Sequence, residues 1–151
     1  MKIGVLSDTH VDSLGQIPSP ILKALGEVDL IVHAGDFTET AVLEGLRTLA
    51  EVKAVAGNMD SNEIKRMLPR KEQFMVGGKR VGLTHGSGPP WGLAGKVRDI
   101  FDNVDLIIYG HSHQLVNEYI NGALLFNPGR CRNSFGILTI GDEIKTEIIR
   151  V

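Results

Sequence analysis

Seven side chains able to bind a metal stand at five places in the sequence. They are Asp8 and His10 in Asp8-Thr9-His10, Asp36 after Gly35, Asn58 after Gly57, His85 before Gly86, and His111 and His113 in Gly110-His111-Ser112-His113. Carboxylates, an amide and imidazoles together suit borderline-to-hard divalent ions such as Mn²⁺, Fe²⁺, Zn²⁺, Co²⁺ or Ni²⁺. Seven ligands are too many for one catalytic ion that must keep open positions, but with one shared carboxylate they serve two. Singly, each has a bland explanation: Asp8 caps a loop, Asn58 fills a turn, a lone histidine is a hydrogen-bonded structural residue. His33, three residues before Asp36, keeps that structural reading. The joint placement of the other seven carries the metal-site expectation.

The ligands must be positioned by elements that end beside them. Lys2–Leu6, Val28–Ala34 and Val52–Ala56 read as strands. They alternate with helices over Pro20–Leu25, Thr40–Ala50 and Ser61–Met67, the second showing apolar residues at i, i+3/4 and i+7. Such an order implies a parallel sheet with right-handed crossovers. After Pro69, Gln73–Val76 and Arg80–Thr84 flank a Gly77-Gly78 hairpin signal. Leu93, Val97, Ile100 and Phe101 form one helical face, and Leu106–Tyr109 reads as a buried strand. Strands follow at Leu115–Ile120, Ala123–Phe126, Gly136–Ile140 and Ile144–Ile149, the first two joined by an Asn121-Gly122 type I′ turn. The expected fold is α/β: two packed mixed β-sheets flanked by helices, one domain over 1–151. Each ligand group then falls at the carboxyl end of a strand, where open α/β sheets bind ligands. In extended chain, residues i and i+2 share a side, so Asp8/His10 and His111/His113 are each expected to face one site.

Composition narrows the class. The 151 residues carry 16 basic and 18 acidic side chains, a net charge of −2, with eighteen glycines, five histidines and one cysteine. No general nucleic-acid binding is expected, since that takes a strong basic excess. The densest basic run, Lys65-Arg66 with Arg70-Lys71, reads as a solvated face at a helix end. A single Cys131 makes neither an intrachain disulfide nor a cysteine-based zinc site. The first apolar run breaks at Ser7-Asp8, too early for a signal peptide, and none approaches the ~20 residues of a membrane span. A cytoplasmic protein is the expectation, with a homo-oligomer left open.

The ordered motifs Asp8-Thr9-His10, Gly35-Asp36, Gly57-Asn58, His85-Gly86 and Gly110–His113, with the later Asn127-Pro128-Gly129, resemble those of the calcineurin-like metallophosphoesterase superfamily over essentially the whole chain. The resemblance implies one ion on Asp8, His10, Asp36 and His113 and a second on Asp36, Asn58, His85 and His111, with Asp36 bridging. It implies hydrolysis of a small phosphoester by a metal-bridging hydroxide. Asp36, Asn58, His85 and His111 then act catalytically, and two divalent ions, manganese first, are the cofactors. Deprotonated ligands are required, so activity is expected to fall as pH drops through the imidazole range.

Many members of that superfamily, phosphomonoesterases especially, have a histidine after the GN asparagine; here it is Met59. A thioether cannot donate a proton to a leaving group, which shifts the expectation from monoesters to diesters. Asp60-Ser61-Asn62-Glu63 reads as a helix N-cap with an acid at N3. Arg130 and Arg132 could meet a substrate phosphate or simply face solvent, and Trp91 reads as a helix anchor or an exposed patch. A rival from another class is a protein-contact scaffold, like the retromer coat subunit of this fold, whose resemblance includes Pro90-Trp91-Gly92. That branch departs at the GD and GN motifs, whereas Asp36 and Asn58 are present here.

Overall fold

A computed structural model describes residues 1–151. Ten strands form two five-stranded mixed sheets. The first has the order β10-β9-β1-β2-β3, with β1 Lys2–Leu6, β2 Leu30–His33, β3 Glu51–Ala54, β9 Ser134–Ile140 and β10 Ile144–Arg150. The second has the order β4-β5-β6-β8-β7, with β4 Lys71–Val76, β5 Lys79–Thr84, β6 Leu106–Ile108, β7 Val116–Ile120 and β8 Ala123–Asn127.

Strand alternation builds the layers. Ile3 and Val5 of β1, Leu30 and Val32 of β2, Leu106 and Ile108 of β6, and Leu124 and Phe126 of β8 share one core between the sheets. Their neighbours point outward: Leu6 and Ile31 pack under α1 (Ser19–Leu25), α2 (Thr40–Arg47) and α3 (Asn62–Met67). On the opposite outer face Ile107 and Leu125 pack under α4 (Leu93–Ile100). Because side chains alternate with period two, one strand supplies both layers, and each fully buried Leu, Ile or Phe contributes roughly 1.5–3 kcal/mol. The expected two-sheet α/β sandwich is the fold observed.

Its partition along the chain differs from the sequence reading. The first sheet is not closed by the N-terminal half: β9 pairs antiparallel with β1, and β10 with β9. The second sheet is mixed as expected, with β5, β6 and β8 parallel and β4 and β7 antiparallel to their neighbours. Periodicity reports which face of a strand is apolar, not which distant strand it pairs with. The helix expected over 40–50 stops at Arg47, where Thr48 turns its hydroxyl back onto the Gly45 carbonyl (2.6 Å). No helix is long and apolar enough to cross a membrane.

Candidate metal centre

The loops after β1, β2, β3, β5 and β6 meet at one edge and are tied to one another by backbone. Asp8 N–H donates to Gly35 O (3.0 Å), His10 N–H to Asp36 O (3.2 Å) and Gly110 N–H to His85 O (3.1 Å). Asp8 Oδ2 accepts from Ser7 Oγ (2.5 Å) and from His111 N–H (3.1 Å). Close approach requires two glycines. A Cβ on Gly57 would overlap the Asp36 carboxylate, and one on Gly110 would overlap the Ser7 hydroxyl.

The pairing of ligands two residues apart arises differently from the extended geometry expected. Asp8 and His10 have φ of 54° and 48°, His111 and His113 have 68° and 61°, and Asp36 has 63°. These are left-handed conformations beyond the strand ends, so a tight turn rather than strand alternation aims both members of each pair. Such conformers cost ~1–2 kcal/mol at most non-glycine residues, though Asp and His tolerate them better than most. Strained backbone of this kind concentrates at functional sites.

Six of the seven expected ligands converge closely, and the seventh lies beside them. His85 Nε2 lies 3.2 Å from Asp36 Oδ2, 3.8 Å from Asp8 Oδ1 and 3.1 Å from Asn58 Oδ1. His10 Nε2 lies 3.6 Å from Asp36 Oδ2 and 3.8 Å from Asp8 Oδ1, and His113 Nε2 lies 3.4 Å from Asp8 Oδ1. The His111 ring stands edge-on to His85, with centroids 5.2 Å apart. Asp8, His10 and His113 form one group able to hold an ion, and Asp8, Asp36 and His85 another. Both carboxylates, Asp8 as well as Asp36, therefore lie between the imidazoles.

The residues fit divalent ions on three observations. Asp8 Oδ1 and His10 Nε2 are buried without any hydrogen-bond partner, which is costly unless a cation answers them. His85 Nδ1–H donates to Ala34 O (2.7 Å), leaving Nε2 as the lone-pair nitrogen that faces the oxygens of Asp36, Asp8 and Asn58. His111 Nε2–H donates to Gly88 O (2.9 Å), which leaves the Nδ1 lone pair free for a metal. Backbone carbonyls that fix the tautomer of a ligating histidine are a recurrent support of metal sites.

Charge follows the same geometry. Burial disfavours ionised Asp36, yet hydrogen bonding and attraction from His85, with help from Met59 N–H and His10, hold its carboxyl below the ordinary range. Burial alone would lower His85; the bond to Asp36 and the two carboxylate charges outweigh it and raise its pKa above 6.5. A proton thus competes with a metal for His85. Metal uptake should release it, with affinity falling as pH is lowered through a window that opens above 6.5.

His33 is fully buried and stacked on Phe37, with centroids 3.7 Å apart. Its Nδ1 accepts from Gly35 N–H (3.0 Å), so Nε2 carries the proton, directed at Thr9 Oγ1 (3.2 Å), whose hydroxyl donates to Asp36 O (3.3 Å). It braces the loops after β1 and β2. Burial first, then the His85 charge, push its pKa down to about 3. The unfolded chain, with imidazoles near 6.5, takes up a proton that the folded chain refuses. Stability is therefore complete above about pH 6.5 and falls about tenfold in equilibrium constant per pH unit towards pH 3. Denaturant titrations of metal-free His33→Gln between pH 6 and pH 4 should show a slope smaller by one proton.

Asp60 departs from the sequence reading. Ser61, not Asp60, caps α3, its Oγ accepting from Ile64 N–H (3.3 Å). The buried Asp60 carboxylate instead accepts from Asp36 N–H (3.0 Å), Gly57 N–H (2.7 Å) and Thr38 N–H (2.8 Å). It locks the GD loop to the GN loop, so it is a positioning residue that the capping pattern concealed. Met59 is 58% exposed at the rim, and its N–H donates to Asp36 Oδ1 (2.8 Å). Trp91 is an exposed residue before α4.

Two open α/β sheets whose loops gather buried carboxylates and imidazoles define a metallophosphoesterase-type centre. Residues 1–140 match the calcineurin-like phosphoesterase superfamily domain, and the chain belongs to that family. A probable metallophosphoesterase of Methanothermobacter thermautotrophicus is 38% identical, covering 99% of this chain and 92% of its own. A phosphodiesterase of Methanocaldococcus jannaschii is 31% identical, covering 93% and 91%. Wild-type Vps29 of Entamoeba histolytica, solved in complex with zinc, superposes with a TM-score of 0.77 at 28% identity over 99% of both chains.

Proposed function

We propose that the protein hydrolyses a phosphodiester with two divalent ions, manganese first. Asp8, His10, Asp36 and His113 would hold one ion, and Asp36, Asn58, His85 and His111 the other. The observation that carries this is the buried, partnerless pair Asp8 Oδ1 and His10 Nε2 within a cluster of two carboxylates and three imidazoles. Such ions supply Lewis acidity at phosphorus and a more acidic water. The chain's own residues do the rest: Asp36 neutralises charge between the imidazoles, Asn58 adds a ligand without adding charge, and Ala34 O and Gly88 O hold two imidazoles in the binding tautomer.

Preference for diesters rests on Met59, which in sequence follows the GN asparagine where many superfamily members carry a histidine; its thioether cannot supply general acid catalysis, a contribution of typically ~10²–10⁴-fold. Stripped protein reloaded separately with Mn²⁺, Ni²⁺ or Zn²⁺ should cleave bis(4-nitrophenyl) phosphate faster than 4-nitrophenyl phosphate. No turnover with any metal would remove the enzyme assignment. Faster monoester cleavage would remove the Met59 argument.

One feature favours a protein-contact role instead: Trp91, 76% exposed in Pro90-Trp91-Gly92. An exposed large aromatic is a common anchor of protein interfaces. A chain that takes up metal but turns over neither ester would point that way.

A further inference from the structure

Beside His10 a compact cavity of about 140 Å³ opens between the loop after β1 and the segment Arg130-Cys131-Arg132. Buried Cys131 and both flanking arginines line the cavity. Neither arginine has an ion-pair partner within 4.0 Å or a side-chain hydrogen bond in the protein. Arg130 is nevertheless half-buried, while Arg132 is exposed. A partly desolvated guanidinium without a carboxylate is unusual, because its donors are then left to water alone.

The segment is also fastened to the metal-ligand loops. Cys131 N–H donates to Ser7 O (3.0 Å), one residue before Asp8. Asn127 Nδ2 donates to Gly110 O (3.1 Å), one residue before His111, and Asn127 Oδ1 accepts from Gly129 N–H (3.0 Å). Ser134 Oγ closes the turn on Pro128 O (2.6 Å). The backbone that carries the two arginines is thus held in fixed relation to the centre, which lowers the ordering cost of binding an oxyanion there.

From this we infer that Arg130 and Arg132 form a clamp for a second anionic group, a phosphate or carboxylate, at the end of one arm of the substrate. The inference rests on the proposed hydrolysis of a diester at the adjoining centre. At about 140 Å³ the cavity suits a compact oxyanion and lies well below the roughly 300–1,000 Å³ of drug-sized ligand sites. The larger cavity of about 340 Å³, on the far side at Asn58 and His85, is left for the other arm. The substrate class is therefore an unsymmetrical diester, one arm short and anionic and the other bulkier.

Two experiments decide this. Metal-free protein is titrated with inorganic phosphate, and separately with acetate, while the arginine Nε–Hε signals are followed by NMR. Saturable shifts at Arg130 and Arg132 are expected, and the tighter anion names the arm's chemistry; no saturable shift with either overturns the clamp. Loaded enzyme is then given methyl 4-nitrophenyl phosphate, its 2-phosphoethyl analogue and its 2-carboxyethyl analogue, which share one leaving group. In Arg130→Gln/Arg132→Gln the preference in kcat/KM for the better anionic ester over the methyl ester should fall on the order of 10–100-fold. An unaltered preference overturns the proposal. Absence of all diester turnover would instead defeat the hydrolase assignment, while the titration still decides whether the anion site exists.

Discussion

Asp36→Asn is expected to lower diester hydrolysis by about 10²–10⁴-fold and to weaken metal binding throughout the centre. The size follows from removing a buried charge from its partners, roughly 3–5 kcal/mol, at about 1.4 kcal/mol per tenfold in rate. Asp36 Oδ2 lies within 3.6 Å of both His10 and His85, so neither imidazole group is independent of it. The substitution keeps the shape, and an amide oxygen can still accept from Met59 N–H, so the loss reports charge rather than collapse. His113→Ala removes a ligand from the Asp8 side only and should perturb mainly one ion. Metal content of the two purified variants, measured by elemental analysis, separates these outcomes; equal single-ion losses would contradict a bridging Asp36. Asp8→Asn belongs in the same series, because Asp8 Oδ1 also lies 3.8 Å from each of those imidazoles.

Asp60→Ala should destabilise the fold by about 3 kcal/mol or more, since it leaves three N–H groups of Asp36, Thr38 and Gly57 without their acceptor, each worth ~1–3 kcal/mol when buried. At this chain length that corresponds to a drop in Tm of at least about 6–12 °C. Metal affinity should fall roughly 10–100-fold, the usual cost of losing a residue that orients ligands. Asp60→Asn retains one acceptor oxygen and should lie between wild type and Asp60→Ala in both measurements. Thermal melts with and without Mn²⁺ test this, and Ser61→Ala is the comparison. A lost N-cap costs typically ~1 kcal/mol and leaves the metal loops intact. If Ser61→Ala proved as harmful to metal affinity as Asp60→Ala, the loop-locking role would be refuted.

The two positions show where sequence reasoning held and where it stopped. An acid three residues before an acid, ahead of an apolar helix face, is a capping signature whichever residue performs the cap. The local pattern could not reveal that Asp60 is turned towards a loop more than twenty residues away. The same limit applied to the sheets. Alternating apolar residues announced β9 and β10 as strands, but their places beside β1 depend on long-range pairing. The Arg130-Cys131-Arg132 segment was readable as two charges. Only the hydrogen bond from Cys131 N–H to Ser7 O and the cavity beside His10 distinguish the segment from an ordinary solvated turn.

By itself the sequence determined the two-sheet α/β architecture, the strands the candidate ligands follow, and the types and spacing of the seven residues proposed to bind metal. These are carried by residue type and short-range spacing, which do not depend on the rest of the chain. The tertiary structure decided how the ligands face one another. Left-handed turns at Asp8, His10, Asp36, His111 and His113 aim them, Asp60 locks two of their loops, and carbonyls of Ala34 and Gly88 select their tautomers. Such arrangements come from backbone contacts between segments distant in sequence. Those contacts exist only once the two sheets have packed.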